Sequence, residues 1–102
     1  METPRMTGPT LKVLSQLLQA PTNDLSGAAI ARASGLASGT LYPILMRLEA
    51  SGWLTSQWED ANPSEVKRPR RRLYRLTGSG ERAARAAFED IAPSWGVSAW
   101  QS

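Results

Sequence analysis

The sequence contains no cysteine and no histidine among its 102 residues. These absences remove disulfides, thiolate and imidazole metal ligands, and the side chains that most often act as nucleophiles or acid–base catalysts near neutral pH. Zinc and iron–sulfur sites need such nitrogen or sulfur ligands, and no cluster of carboxylates offers a hard-oxygen alternative. The composition therefore argues against an enzyme and predicts neither a metal site nor another cofactor.

Long apolar segments are also absent. The N-terminal METPRMTGPT contains no apolar run of signal-peptide length, and no stretch approaches the roughly 20 apolar residues of a membrane span. The lack of cysteine agrees with a reducing compartment, and the length suits one domain with a modest core. We therefore expect a soluble, cytoplasmic protein without membrane contact. The abundance of alanine and arginine favours a GC-rich bacterial or phage genome.

Hydrophobic periodicity predicts four helices and two strands. Ile30 and Ala33 form the inner stripe of the second helix, Ser38 is placed to cap the third, and Pro93 is expected to stop the fourth. The helices are predicted over residues 10–20, 27–34, 39–50 and 80–92, and the strands over residues 53–58 and 73–76, which form a two-stranded hairpin with a long connecting loop.

This order of elements is that of a winged helix-turn-helix, a mainly α fold with a small two-stranded β wing. The chain is divided accordingly into an N-terminal arm (1–9), a winged-helix DNA-binding domain (10–77), a C-terminal helix (78–92) and a tail (93–102).

The third helix is the candidate for entry into the major groove of DNA. A helical wheel turns mostly small or apolar side chains away from its core face, which permits close approach to DNA but limits direct readout: Gly39, Pro43, Met46, Arg47 and Ala50. The predicted DNA contacts of this helix are Ser38, Thr40, Tyr42 and Arg47. The alternative is that Tyr42 only packs against the domain and Arg47 only pairs with a carboxylate.

A basic segment follows between the two strands and runs into the second. Six of the 12 Lys and Arg residues lie between Lys67 and Arg75, so the rest of the chain has six basic against nine acidic residues. Charges this dense repel one another without an anionic partner, and DNA is such a partner. The predicted contacts are Lys67, Arg68, Arg70 and Arg71, with Arg68 or Arg70 in the minor groove. A solvated loop, or a patch for RNA or a membrane surface, is the alternative.

SGTLYPILMRLEASGWL, followed by RPRRRLYRLTGSG, resembles the PadR family of bacterial transcriptional regulators over about residues 10–90. In that family the third helix and the wing bind operator DNA, and the family motif includes a proline at the position of Pro43. The resemblance implies helix contacts by Ser38, Thr40, Tyr42 and Arg47, and wing contacts by Arg68, Arg70 and Arg71.

Two positions depart from the family pattern. Lys67 stands where members usually have glycine before the arginine–proline pair, and Gly78 stands where many have proline after the LT dipeptide. The first departure implies that the loop of the wing turns more or less tightly than in other members. The second implies a less rigid first turn of the fourth helix.

The resemblance also implies a homodimer formed through the C-terminal helix, and this chain is similar to the shorter branch of the family with a single such helix. The candidate dimer or ligand surface comprises Phe88, Ile91, Trp95 and Trp100. Some short members of the family bind planar aromatic molecules between subunits, so a small aromatic effector is a further expectation. The alternative is that the tail folds back on its own domain.

We therefore interpret the sequence as a dimeric, sequence-specific DNA-binding transcriptional regulator, a repressor that occludes a promoter. The competing hypothesis is a winged-helix protein-interaction module whose basic loop docks on an acidic partner. An enzymatic function lacks a nucleophile–base pair, a phosphate-binding glycine motif and paired carboxylates.

Overall fold

The computed structural model describes residue 4 and residues 6–95, with side chains through residue 90. The elements follow in the order α1 (Gly8–Gln19), β1 (Leu25–Ser26), α2 (Gly27–Ser34), α3 (Ser38–Ala50), β2 (Leu54–Trp58), α4 (Pro63–Val66), β3 (Arg72–Leu76) and α5 (Gly78–Trp95). This order confirms the mainly helical class with a β wing. Within the described residues no helix is both long and apolar enough to cross a membrane.

Leucines of α1 and α3 form the centre of the core. The inner face of α3 contributes four buried residues: Leu41, Ile44, Leu45 and Leu48. Ile30 of α2 joins them with no exposed surface, but the prediction for Ala33 is wrong because this residue is exposed. Since α2 has only eight residues, its last turn lies at the surface beside α1.

The first helix begins at Gly8, two residues earlier than predicted. The Thr7 hydroxyl accepts a hydrogen bond from the backbone N–H of Thr10 at 3.3 Å and caps the helix. Pro9 fits in the first turn because an amide there has no partner within the helix.

The helix-turn-helix is formed by α2 and α3. The Ser26 hydroxyl caps α2 by accepting from the Ala29 N–H at 3.1 Å, and Gly35 ends it in the left-handed region with φ of 74°. The prediction that Ser38 caps α3 is wrong. The carbonyl of Ala37 accepts the first helical bonds, from the N–H groups of Thr40 and Leu41, and this makes Ser38 the first helical residue.

Pro43 lies inside α3, as the sequence pattern anticipated. It lacks the amide that would bond the carbonyl of Gly39 one turn earlier. Both residues are exposed, so water can replace the missing donor and the helix continues.

The sheet has three antiparallel strands in the order β1–β3–β2, where the sequence predicted two. The two residues of β1 pair with β3 in the register Leu25↔Tyr74, and β2 pairs along its length from Leu54↔Leu76 to Trp58↔Arg72. A strand of two residues is too short to produce an alternating pattern in the sequence, which is why β1 was not predicted.

The connection between β2 and β3 contains the short helix α4. Asn62 caps it by accepting from the Ser64 N–H at 3.0 Å, and Pro63 occupies its first turn. Lys67 ends it with a φ of 58°, and among the described residues it is the one non-glycine with positive φ. The family's usual glycine therefore corresponds to a left-handed backbone position in this chain.

Thr77 joins the sheet to α5. Its hydroxyl donates to the Gly52 carbonyl at 2.7 Å and accepts from the Gly80 N–H at 2.9 Å. A Cβ atom at Gly80 would lie 2.1 Å from the carbonyl oxygen of Trp53. The LTGSG sequence thus fixes the first turn of α5 against the segment that follows α3.

The prediction that Pro93 stops the last helix is wrong, because α5 continues to Trp95. Proline has a φ compatible with a helix, and in the last turn its main cost is the loss of one backbone hydrogen bond. The helical segment therefore exceeds the predicted boundary of residue 92 by three residues.

Candidate nucleic-acid interface

A concave surface lies between the helix-turn-helix and the wing, and the space that it lines has a volume of about 440 Å³. The first turn of α2 contributes one side, Tyr42 of α3 the second, and the wing arginines the third. The lining residues are Ser26, Gly27, Ala28, Tyr42, Trp58, Arg68, Pro69, Arg70, Arg71 and Arg72. Four arginines and the first turn of α2, a helix N-terminus whose free N–H groups attract anions, therefore line one space.

The outward face of α3 has the composition that the helical wheel predicts. Every residue assigned to it is exposed, including Gly39, Pro43, Met46, Arg47 and Ala50. Thr40 and Tyr42 at its flanks are exposed too, and so is Ser38 at the first helical position. The predicted contact residues of this helix are thus all accessible to solvent, and of the four only Tyr42 lines the concave surface.

Tyr42 both packs against the domain and stays accessible to solvent. Its ring packs over Gly27, where an added Cβ would lie 2.6 Å from the Tyr42 Oη. It nevertheless remains 42% exposed and lines the concave surface. The absence of a side chain at Gly27 positions this ring between α2 and α3.

Arg47 is exposed and lies in the last turns of α3. Its Nε donates to the Pro43 carbonyl at 3.3 Å, and among the described residues no carboxylate forms an ion pair with it. The alternative in which Arg47 pairs with a neighbouring carboxylate is therefore not observed.

The Glu59 carboxylate organises the wing. It accepts hydrogen bonds from the Arg68 guanidinium, whose Nη2 lies 3.4 Å from Oε2, and from the backbone N–H of Arg71 at 3.0 Å. These contacts, with Arg68 first, hold the pKa of Glu59 below its usual range, and the same pair raises the pKa of Arg68. The clamp formed by Glu59, Arg68 and the Arg71 amide closes the base of the loop.

The basic segment is partly neutralised within the chain. Besides Arg68, Arg75 pairs with Asp24 at 3.5 Å. Arg70 donates from Nε to the Ala61 carbonyl at 3.0 Å. Lys67, Arg70 and Arg71 are exposed and form no ion pair with a described carboxylate, so these three cations remain available to an external anion.

The family model of PadR-like transcriptional regulators matches residues 22–86, from the turn before β1 into α5. The chain belongs to the PadR-like family. The family is one of transcriptional regulators, and the chain has the winged-helix order of elements that the sequence predicted.

Solved structures of several other proteins are similar to this PadR-like chain. AbfR of Staphylococcus epidermidis is 29% identical with a TM-score of 0.69, and the match covers 87% of this chain and 55% of AbfR. The PcaV transcriptional regulator from Streptomyces coelicolor is 29% identical with a TM-score of 0.71, and the match covers 85% of this chain and 58% of PcaV. The smu.1704 protein from Streptococcus mutans UA159 is 25% identical with a TM-score of 0.66, and the match covers 92% of this chain and 86% of smu.1704.

The PadR-like chain thus spans little more than half the length of AbfR and PcaV. AbfR has also been solved bound to DNA. No curated protein gives a significant match.

Sequence reasoning missed three parts of this PadR-like surface: the first turn of α2, Trp58 and Arg72. Trp58 is 58% exposed, and the Arg72 guanidinium carbon lies 5.2 Å from the centre of its ring. Arg72 Nε also donates to the Ser56 hydroxyl at 3.1 Å. Trp58 and Arg72 are partners across β2 and β3, so only the strand register identifies them as a pair.

The predicted dimer or ligand residues belong to the C-terminal part of the sequence. Phe88 is 9% exposed and belongs to the core, so most of its surface is already buried within one chain. The side chains of Ile91 and Trp95 and the whole of Trp100 lie outside the described residues.

Proposed function

We propose that this PadR-like regulator binds double-stranded DNA sequence-specifically, with α3 in the major groove and the wing on the adjacent backbone or minor groove. The observation that carries the proposal is the shared concave surface, where the first turn of α2, Tyr42 and the wing arginines face one space. Helix N-termini and arginines are the groups that bind phosphates. AbfR, which is similar in fold, has been solved bound to DNA.

The wing supplies the sequence-independent part of the affinity in this proposal. Lys67, Arg70 and Arg71 carry the exposed cations, while Arg68 is held by Glu59 and positions the loop. Each phosphate contact releases condensed counterions, so log K should fall with log salt concentration by about 0.9 per contact.

The finer parts of the proposal are a homodimer and repression by promoter occlusion. A two-fold dimer presents two copies of α3, which favours an inverted repeat whose half-site centres are about 34–36 Å apart, or a multiple of that distance. A chromosomal partner would place the protein in the bacterial cytoplasm. The proposed dimer surface comprises Phe88, Ile91, Trp95 and Trp100.

A small aromatic effector at the same surface extends the proposal and is based on the tryptophans near the C-terminal end of the sequence. It predicts quenching of tryptophan fluorescence by at least one member of a panel of planar aromatic dyes. No quenching by any of them would remove the effector and leave the DNA proposal intact.

The decisive experiment is a fluorescence-anisotropy titration of the full chain on promoter DNA from upstream of its own gene and on a scrambled duplex, repeated at several salt concentrations. Tighter and salt-sensitive binding to the promoter DNA supports the proposal. Analytical ultracentrifugation of the complex then gives the number of chains per duplex.

Equal, weak binding to both duplexes, repeated with duplexes drawn from a randomised library, would overturn sequence-specific recognition. Such a result would favour the acidic protein partner of the competing hypothesis. A variant with Thr40→Ala and Arg47→Ala separates the two, because it should lose DNA binding and retain a partner bound through the wing.

A further inference from the structure

The centre of the outward face of α3 offers almost no hydrogen-bonding side chain. Gly39, Pro43, Met46 and Ala50 follow one line along the helix and are all exposed. Met46 is the largest of them and is 69% exposed, more than the other large apolar residues that the structure describes at the surface. A flexible thioether side chain therefore projects from the middle of the helix that the proposed function puts into the major groove.

Neighbouring side chains leave Met46 room to approach a base edge. Gly39 has nothing within 4 Å of an added Cβ position, and side chains of a helix lean toward its N-terminus, in this case toward Pro43. Arg47 is folded back, with its Nε on the Pro43 carbonyl at 3.3 Å. The first side chain to meet the floor of the groove is then apolar.

The major groove has one apolar feature that distinguishes its base pairs, the C5-methyl group of thymine. A hydrogen-bonding base edge placed against Met46 would lose water without gaining a partner, which is unfavourable. A thymine methyl placed there would bury apolar surface on both sides.

We propose that Met46 is a specificity-determining residue that reads the C5-methyl of a thymine in each half-site. This inference rests on the proposed function, because it requires α3 to enter the major groove. It adds to that function the assignment of one base, thymine, to one apolar side chain, Met46.

The test uses the best duplex that the full chain selects from a randomised library. Each thymine of that duplex is replaced in turn by deoxyuridine, which removes only the methyl group. We expect one position per half-site at which the replacement weakens binding about fourfold, the size expected for one buried methyl group. Thymines elsewhere should tolerate the replacement.

The variant Met46→Gln keeps a long side chain with good helix propensity but removes the apolar contact. It should bind the thymine and deoxyuridine duplexes with equal affinity at that position. Val66→Gln is the matched control, because Val66 is also an exposed apolar residue but lies on α4. It should retain the fourfold preference for thymine.

Two results would overturn the inference alone: a selected duplex in which every thymine tolerates deoxyuridine, or a methyl preference that persists in Met46→Gln. Failure to enrich any sequence from the library would instead overturn the proposed function, and this inference with it. Circular dichroism of both variants checks that the helices are retained.

Discussion

Gly80 and Gly78 both lie in the first turn of α5 but differ in what surrounds them. A Cβ atom at Gly80 would lie 2.1 Å from the Trp53 carbonyl oxygen and 2.7 Å from its Cα, whereas at Gly78 the nearest atom is Nη1 of Arg82 at 3.5 Å. The backbone of Trp53 cannot move aside easily, because its carbonyl also accepts from the Thr77 N–H at 3.0 Å.

Gly80→Ala should therefore lower the free energy of unfolding by about 1–3 kcal/mol, the usual cost of overpacking. Gly78→Ala is the matched control and should be neutral or slightly stabilising, since alanine is the better helix former. Urea denaturation of the two variants measures the difference. Equal midpoints would contradict the close packing of α5 on the segment after α3.

Lys67 combines a strained backbone with a charge on the proposed DNA surface. Its φ of 58° places an L-residue in the left-handed region, which costs roughly 1–2 kcal/mol compared with the right-handed helical region. Glycine avoids most of this cost. The lysine side chain, in contrast, carries one of the three exposed wing cations that form no ion pair with a described carboxylate.

Lys67→Gly should raise stability by about 0.5–1 kcal/mol as the strain is relieved, and should also reduce the salt dependence of DNA binding by about one counterion. Lys67→Gln separates the two effects, because it removes the charge and keeps the strain. Denaturation and salt titrations of both variants check the prediction. A stabilised Lys67→Gln, or a Lys67→Gly with an unchanged salt slope, would contradict it.

Among the structural elements, the helix-turn-helix is the one that the sequence predicts best. The spacing of Leu41, Ile44, Leu45 and Leu48 identifies the buried face of α3, and Ser26 and Gly35 mark both ends of α2 by local capping chemistry. The remaining differences have local causes. The strand β1 is too short for a pattern, and α4 has only one turn, although its Asn-Pro start is a recognisable cap signal.

The candidate surface was predictable in its residue types but not in its pairings. Exposure of Thr40, Tyr42 and Arg47 follows from helical geometry, whereas the choice of Glu59 as the partner of Arg68 depends on how the wing closes. Trp58 and Arg72 required the strand register, and the first turn of α2 required the packing of Gly27 against Tyr42. Such contacts join residues distant in sequence and carry no periodic signal.

The Glu59 clamp makes the wing sensitive to acid. Because the folded pKa of Glu59 lies below its usual value, the contribution of the clamp is complete above the ordinary glutamate pKa, about 4.3, and is lost as the pH falls through the lowered value. The Arg71 N–H donates to this carboxylate, so its amide NMR signal should stay constant at neutral pH and shift only below about pH 4.3.

Glu59→Gln should abolish that titration, since the amide has no charge to lose. It should also loosen Arg68 from the loop, which broadens the signals of the wing at neutral pH. A titration midpoint at or above the ordinary glutamate range in the unmodified chain would show that Arg68 does not stabilise the carboxylate.

For the whole molecule, the net charge of +3 conceals a separation of charge, because the residues outside Lys67–Arg75 have six basic and nine acidic side chains. If DNA binds through contacts with particular arginines, the loss of affinity on removing a positive charge depends on where that charge lies. If binding depends on the net charge alone, the location of the removed charge does not matter. Arg70 and Arg71 lie on the concave surface, whereas Arg82 and Arg85 are exposed on α5.

Two double variants separate these cases, since each removes two positive charges: Arg70→Gln with Arg71→Gln, and Arg82→Gln with Arg85→Gln. The wing pair should reduce the slope of log K against log salt by about two and weaken binding at all salt concentrations. The α5 pair loses one surface ion pair, Arg85 with Glu81 at 3.0 Å, worth at most about 1 kcal/mol of stability. Its slope should remain that of the unmodified chain. Equal slopes for the two variants would mean that the wing is not the DNA-binding surface, because the affinity would then follow the net charge and not the place where the arginines converge.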